Sequence, residues 1–141
     1  MAAKEYQLEM QVRDYELDQY GVVNNSVYNN YLEHTRHEFL ITVGIDAAEV
    51  ASSGRSLALS RLSLHYRASL RSKDRFRVTL AVSVLSGARV EFLQIIRRMP
   101  DETVMLEARA EAVFLDEHGR PQRVTPDHKA AFMPYFDPAL A

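Results

Sequence analysis

The segment VRDYELDQYGVVNNSVYNNYLEHTR, residues 12–36, contains the change of hydrophobic period on which the fold turns. Leading into it, from Glu5 to Arg13, apolar and polar residues alternate and place Tyr6, Leu8, Met10 and Val12 on one face, the period of a half-buried strand. Within it the step lengthens. Val27, Tyr28, Tyr31, Leu32, Thr35, Phe39 and Val43 recur at three- and four-residue intervals, the stripe of an amphipathic helix predicted over Asn25 to Val43. Asn24 or Asn25 supplies the cap, because an asparagine side chain accepts from the free N–H groups of a first helical turn. Gly44 is placed to end the helix.

Downstream of this switch the alternation returns. Leu57 and Leu59 are odd-numbered while Leu62, Leu64 and Tyr66 are even, so the phase slips by one residue near Ser60 and Arg61, as a β-bulge requires. Phe76, Val78, Leu80, Val82 and Val84 mark the next strand, and Ser86-Gly87 turns it into a hairpin with Arg89 to Arg98. After a turn at Pro100-Asp101, a last strand from Thr103 to Leu115 sets Ala108, Ala110 and Ala112 on one face, where small side chains leave room for a helix. A tail begins at Pro126. The order predicts an α+β fold: one domain over residues 1–141, with an antiparallel sheet of about five strands around one long helix. A single helix covers one sheet face only partly, so the free edge and outer face imply self-association.

Composition narrows the class. The 141 residues are 47% hydrophobic, enough for one core, and the absence of cysteine excludes disulfides, thiolate metal sites and a cysteine nucleophile. The start MAAKEYQLEM turns charged and alternating at once, and no apolar run approaches the ~18 residues of a membrane span, so the expectation is a soluble cytoplasmic protein. A net charge of −2 offers no general attraction to nucleic acid. Between Arg61 and Arg77, however, stand Arg61, Arg67, Arg71, Lys73, Arg75 and Arg77 against one acid, Asp74. Such a local strip suits a compact phosphorylated ligand, or else is a solvated strand face.

Asp18 lies seven residues before Asn25, with Gly21 between them to allow a tight path. An acid there stands near the N–H groups of a helix start, which carry about half a positive charge and can hold an oxyanion forming on an attacked carbonyl. The carboxylate then attacks or activates water; alternatively it only caps a loop turn. Glu33 is the rival carboxylate. The helical wheel sets it with Asn29, Asn30, Arg36 and His37 away from the apolar stripe, where pairing with Arg36 or His37 is the simpler role. His34 and His37 lack a third ligand, so no metal is expected. Tyr15, Tyr20, Tyr28 and Tyr31 line a substrate tunnel or fill the core.

The positions Asp18, Gly21, Asn24, Asn25, Tyr28, Glu33 and Arg36 resemble the 4-hydroxybenzoyl-CoA thioesterase family. The likeness continues in LHYRASLRSKDRFRV, through Tyr66, Leu70, Asp74 and Val78, and in VFLDEHGRPQRVTP near the end. It is closest to plant and bacterial long-chain acyl thioesterases, including plastid enzymes that release β-keto fatty acids from acyl carrier protein; no transit-peptide pattern is read here. The resemblance implies a hot-dog fold, an enzyme of lipid metabolism that hydrolyses acyl-CoA or acyl carrier protein thioesters without a cofactor, and dimers often paired into tetramers. It assigns Asp18 as the catalytic carboxylate and the backbone N–H of Asn25 as oxyanion donor. Some relatives carry histidine at the Asn25 position, so only the backbone role transfers. Gly21, Asn24 and Tyr28, with Arg61, Arg67, Arg71 and Lys73 of the basic strip, are the expected substrate-binding residues.

Two other functions fit the same fold. A dehydratase normally pairs a histidine with an acid, and Asp14 to Tyr31 holds no histidine. A non-catalytic acyl-binding protein would keep the fold and lose the carboxylate, whereas Asp18 is present. A nucleic-acid module would interleave aromatics or glycines with its basic residues, a pattern the strip lacks.

Overall fold

In the computed structural model, which describes residues 2–141, the first strand β1 is Tyr6–Gln11 and the long helix α1 is Asn25–Thr42. A short helix α2, Ala47–Ser52, precedes four strands: β2 Ser56–Tyr66, β3 Arg75–Ser86, β4 Arg89–Met99 and β5 Thr103–Leu115. Helix α3, Pro126–Phe132, follows. The five strands form one antiparallel sheet in the order β1-β3-β4-β5-β2. The predicted bulge falls in β2, where the register against β5 shifts between Leu59 and Arg61.

Helix α1 lies on one face of this sheet because its stripe has nowhere else to be dry. Tyr28, Tyr31, Leu32, Thr35 and Phe39 are buried. The first half of the stripe packs in a cluster with Leu70, Phe76, Val78 and Leu106, and Phe39 packs in a second with Leu80, Val82 and Phe92. Burial of each such side chain contributes about 1.5–3 kcal/mol. Val43 closes the helix and Gly44, at φ 83°, turns the chain away in the left-handed region that glycine enters freely.

Two short helices fall where the sequence reads as loop and tail. Asp46 caps α2 through the N–H groups of Ala48 and Glu49, and Thr125 caps α3 through that of His128. The tail is a wall of the core: Phe132 is fully buried, with its ring 6.1 Å from Phe39 and 6.0 Å from Phe92. Six and seven residues are too few to display a helical period, which is why both were invisible. No helix among the described residues is long and apolar enough to cross a membrane.

Between β1 and α1 a 3-10 turn, Asp14–Glu16, brings a carboxylate indoors. Glu16 is only 6% exposed. One of its oxygens accepts from the Tyr31 hydroxyl at 2.7 Å and from the N–H of Arg13 at 2.7 Å, while the Arg13 guanidinium stands 3.6 Å from the other. Burial first, and the bond to Glu16 second, hold the Tyr31 phenol well above its ordinary pKa, so it stays a neutral donor. The pair ties the loop before the helix to the second turn of the helix. Removing the hydroxyl in Tyr31→Phe leaves a buried carboxylate short of a donor, so stability should fall by about 1–3 kcal/mol. Urea unfolding measures this, and an unmoved midpoint would show that the tie carries no stability.

Candidate active site

The chain from Glu16 to Asn24 folds back on itself. Leu17 bridges Val23, the N–H of Asp18 donates to the carbonyl of Val22 at 2.8 Å, and the N–H of Asn24 donates to the carbonyl of Glu16 at 3.0 Å. Gly21 turns the tip at φ 73°, and a Cβ there would meet no atom within 4 Å, so glycine serves the backbone angle and not a tight space. Asp18 is half-buried, and one carboxylate oxygen accepts from the N–H of Tyr20 at 2.8 Å, with the N–H of Val22 at 3.5 Å. The turn-capping role is therefore realised. It occupies one oxygen; among the described residues nothing donates to the second.

At the other end of this hairpin the helix begins. The Asn24 side chain is its cap, accepting from the N–H of Ser26 at 3.0 Å and from the Ser26 hydroxyl at 2.9 Å. Asn25 is the first helical residue, exposed, and among the described residues nothing accepts from its N–H. Its carbonyl accepts from the hydroxyl of Tyr66, at the end of β2, at 3.1 Å. From Val22, opposite Asp18, to Asn25 the chain advances three residues, at most about 10 Å. Asp18 does not touch the helix terminus. The segment from Val22 to Asn24 thus has a carboxylate on one side and, on the other, a helix-start N–H with no acceptor among the described residues, at the positive end of a helix.

Tyr28, expected at the substrate, is a core residue instead. It is 1% exposed, its hydroxyl accepts from the N–H of Leu70 at 2.9 Å, and its ring packs edge-on against Tyr31 and Tyr66. Burial raises its phenol pKa. Tyr31 is buried as well, whereas Tyr15 and Tyr20 are exposed.

The basic strip divides. Arg71 is brought to the Asp18 hairpin by a backbone bridge to Val22, and its N–H donates to the Asp74 carboxylate at 2.9 Å. Lys73 sits in the same turn, its carbonyl accepting from Gln11 at 3.1 Å. Arg67 pairs with Glu107 at 3.1 Å, and Arg77 pairs with Glu102. Arg61 is not brought to them: five residues of β2 separate it from Tyr66, about 16 Å of strand.

Glu33 is exposed at the rim of a cavity of about 250 Å³ between α1 and β2, lined also by Arg36, His37, Leu40, Leu57 and Leu59. Its expected partner has gone elsewhere. Arg36 is 9% exposed, and its Nη1 donates to Oε1 of the fully buried Gln94 at 3.0 Å. Placing Arg36 on the solvent side was thus an error of the helical wheel, which knows nothing of a polar partner on β4. Burial lowers the guanidinium pKa. Among the described residues no group of three or more His, Asp or Glu is placed to hold a metal ion. Glu16, Tyr66 and the Arg36–Gln94 pair are the residues of this region that sequence reasoning missed. Their partners lie 15, 41 and 58 positions away, beyond the reach of local spacing.

The model of the thioesterase-like superfamily matches residues 12–136. The chain is 46% identical over 128 residues to the chloroplastic acyl-acyl carrier protein thioesterase ATL3 of Arabidopsis thaliana, covering 91% of this chain and 67% of the relative. ATL2 of the same plant, also described as a chloroplastic acyl-acyl carrier protein thioesterase, is 46% identical over 131 residues, 93% and 69% of the two chains. Among solved structures, the Synechocystis 1,4-dihydroxy-2-naphthoyl-CoA thioesterase Slr0204 superposes with a TM-score of 0.87 at 18% identity, covering 92% of this chain and 96% of that one. The Staphylococcus aureus protein SAV2348, solved in complex with CoA, gives 0.88 at 16% identity, with 96% and 85% covered. The structural matches carry the five-stranded hot-dog fold and the sequence matches carry the lineage: the chain belongs to the thioesterase-like superfamily.

Proposed function

We propose that this hot-dog thioesterase hydrolyses fatty or β-keto acyl thioesters of CoA or acyl carrier protein, with Asp18 as the catalytic carboxylate and the N–H of Asn25 as oxyanion donor. The observation that carries the reading is the placement, along one hairpin and the helix it enters, of a carboxylate oxygen without a donor and a helix-start N–H without an acceptor among the described residues. The names of the plant relatives support acyl carrier protein as one carrier.

Water or the carboxylate oxygen itself attacks the thioester carbon. In the first route Asp18 takes the proton from water as the C–O bond forms; in the second it becomes an acyl anhydride that water then opens. In both, the carbonyl oxygen gains negative charge, which Asn25 N–H and the helix dipole stabilise. The C–S bond breaks when the tetrahedral adduct collapses, and the departing thiolate needs little acid assistance. The Asx turn through Tyr20 holds the carboxylate plane fixed while its other oxygen reacts.

Arg71 and Lys73, in the turn bridged to the Asp18 hairpin, are the members of the strip we assign to carrier phosphates or to an acidic carrier surface. Arg67, engaged with Glu107, and Arg61, far along β2, have weaker claims. Self-association is part of the proposal: β2 is a sheet edge that carries Leu59 at 49% exposure, beside a cavity open to solvent. A dimer along this side, itself pairing into a tetramer, covers that surface.

Three outcomes test this. In Asp18→Asn the shape is kept and the base is lost, so kcat should fall at least about a hundredfold with folding little changed; normal turnover there, with loss in Glu33→Gln, would hand the role to the helix glutamate. Light scattering at micromolar concentration should give at least twice the 16.1 kDa chain mass. A fully active monomer would refute the assembly. Arg71→Ala with Lys73→Ala should raise KM for the CoA or carrier-protein substrate and spare an N-acetylcysteamine thioester, which has no phosphates. The KM difference should shrink in high salt as the Debye length falls from about 10 Å at 0.1 M to about 3 Å at 1 M, and equal KM effects on both substrates would make the strip merely structural.

A further inference from the structure

Asn25, Glu33, Arg36, His37 and Leu40 follow one another along a single side of α1, at steps that keep them near one face. Strand β2 runs beside this face in the opposite sense. Tyr66 meets Asn25 at the helix start, while Leu57 and Leu59 meet His37 and Leu40 further along. The cavity of about 250 Å³ there adjoins a second of about 240 Å³, which shares His37, Leu40 and Leu57 and continues beneath α2 to Val50 and Phe114. The two cavities form one trough that begins at Glu33, about two helical turns beyond Asn25 on the same side of α1, and runs to an apolar end.

Arg36 stands in its wall between Glu33 and His37 at the near end and Leu40, Leu57, Leu59 and Phe92 beyond. The side chain is nine-tenths buried, and a guanidinium carries five N–H donors. Gln94 takes one of them. Its other end is pinned, because its Nε2 donates to the carbonyl of Leu32 at 3.0 Å, so the amide oxygen has to face Arg36. Among the described residues no carboxylate forms an ion pair with Arg36. Glu33 acts on it only through space. An all-methylene chain drawn along the trough displaces the water that solvates the remaining donors and returns nothing to them.

We propose that the trough selects an acyl chain bearing a hydroxyl or keto oxygen at mid-chain, and that Arg36, held by Gln94, is the residue that reads this oxygen. The inference rests on the hydrolytic reading above for the position of the carbonyl. Eleven residues of helix separate Asn25 from Arg36, about 16 Å of axis. The side chain leans back toward the helix start, and an extended chain advances about 1.2 Å per bond, so the oxygen belongs about ten carbons from the carbonyl. An oxygen on the β-carbon lies too close to the reacting centre to reach it.

The test compares octadecanoyl and 10-hydroxyoctadecanoyl thioesters of N-acetylcysteamine on the 141-residue chain, with calorimetric titration of the two free acids alongside. The wild type should favour the hydroxylated chain by about tenfold or more in kcat/KM and in Kd, the discrimination of a buried donor matched or unmatched. Arg36→Met should reduce both ratios to near one. Because that change strands the Gln94 amide, Arg36→Met with Gln94→Leu serves as a second variant in which both partners become apolar. It should behave the same. Ratios near one in the wild type, or ratios that survive both variants, would overturn the assignment and leave Arg36 a core or subunit-contact cation. The two readings separate cleanly: hydrolysis of both thioesters without discrimination sinks this inference alone, and selective binding of the hydroxy acid without any hydrolysis sinks the enzymatic reading alone.

Discussion

The rotation of α1 about its own axis is the constraint from which the functional end of the molecule follows. Tyr28, Leu32 and Phe39 are 1% exposed or less, and each lies against strands in the middle of the sheet. At about 1.5–3 kcal/mol for each large apolar side chain, a turn of the helix by one residue would forfeit about 4.5–9 kcal/mol at these three positions, comparable with a domain's usual margin of about 5–15 kcal/mol. With that rotation fixed, the N–H of Asn25 points out of the first turn, the Tyr31 hydroxyl reaches Glu16, and Arg36 is committed to the side where β4 offers Gln94. None of these polar placements chooses the helix position; they accept it.

The signals that survive in the sequence are those whose two halves are neighbours along the chain. Alternation in β1 and β3, the stripe of α1 and the phase slip between Leu59 and Arg61 are all local, and each was legible. The failures share a cause. Helices α2 and α3 are shorter than two full turns and offer no period, and Phe132 looks like a tail residue until three rings from distant elements close around it. Arg36 misled because a helical wheel sorts residues by solvent preference alone. A charge with a hydrogen-bonded amide 58 positions away obeys a different rule, and burial of that charge is tolerated because its partner is itself held in place.

Asp18 shows a different limit. Capping a turn and attacking a carbonyl both ask for a carboxylate in a loop before a helix, so spacing cannot separate them. In the structure the cap uses one oxygen, bound to the N–H of Tyr20, and leaves the other without a donor among the described residues, so the two roles do not compete for the same atom. The basic strip was half legible for a related reason. Charge density is read from the sequence, but whether cations converge depends on chain reversal. The turn at Arg71 to Lys73 returns to the Asp18 hairpin through Val22, whereas Arg61 is carried away by the length of an 11-residue strand.

The groups proposed to meet a carbonyl and the groups that line the trough are therefore held by different means. Asp18 lies in the short hairpin that leads directly into Asn25, stiffened by its own backbone rungs and by the buried Glu16 carboxylate. The trough is assembled from α1, α2 and β2 with floor residues from β4 and β5, and it is held by side-chain packing. Tyr66 joins the two regions through a single hydroxyl bond to Asn25, beside a ring contact with Tyr28. Changes at Leu57 or Leu59, whose neighbours are partly exposed, thus reshape the space for a chain without moving the hairpin. Changes at Glu16 or Tyr31 act in the opposite way, loosening the carbonyl end while the trough keeps its walls. On the proposed reading, that separation would let one fold hold its chemistry fixed while the bound chain varies.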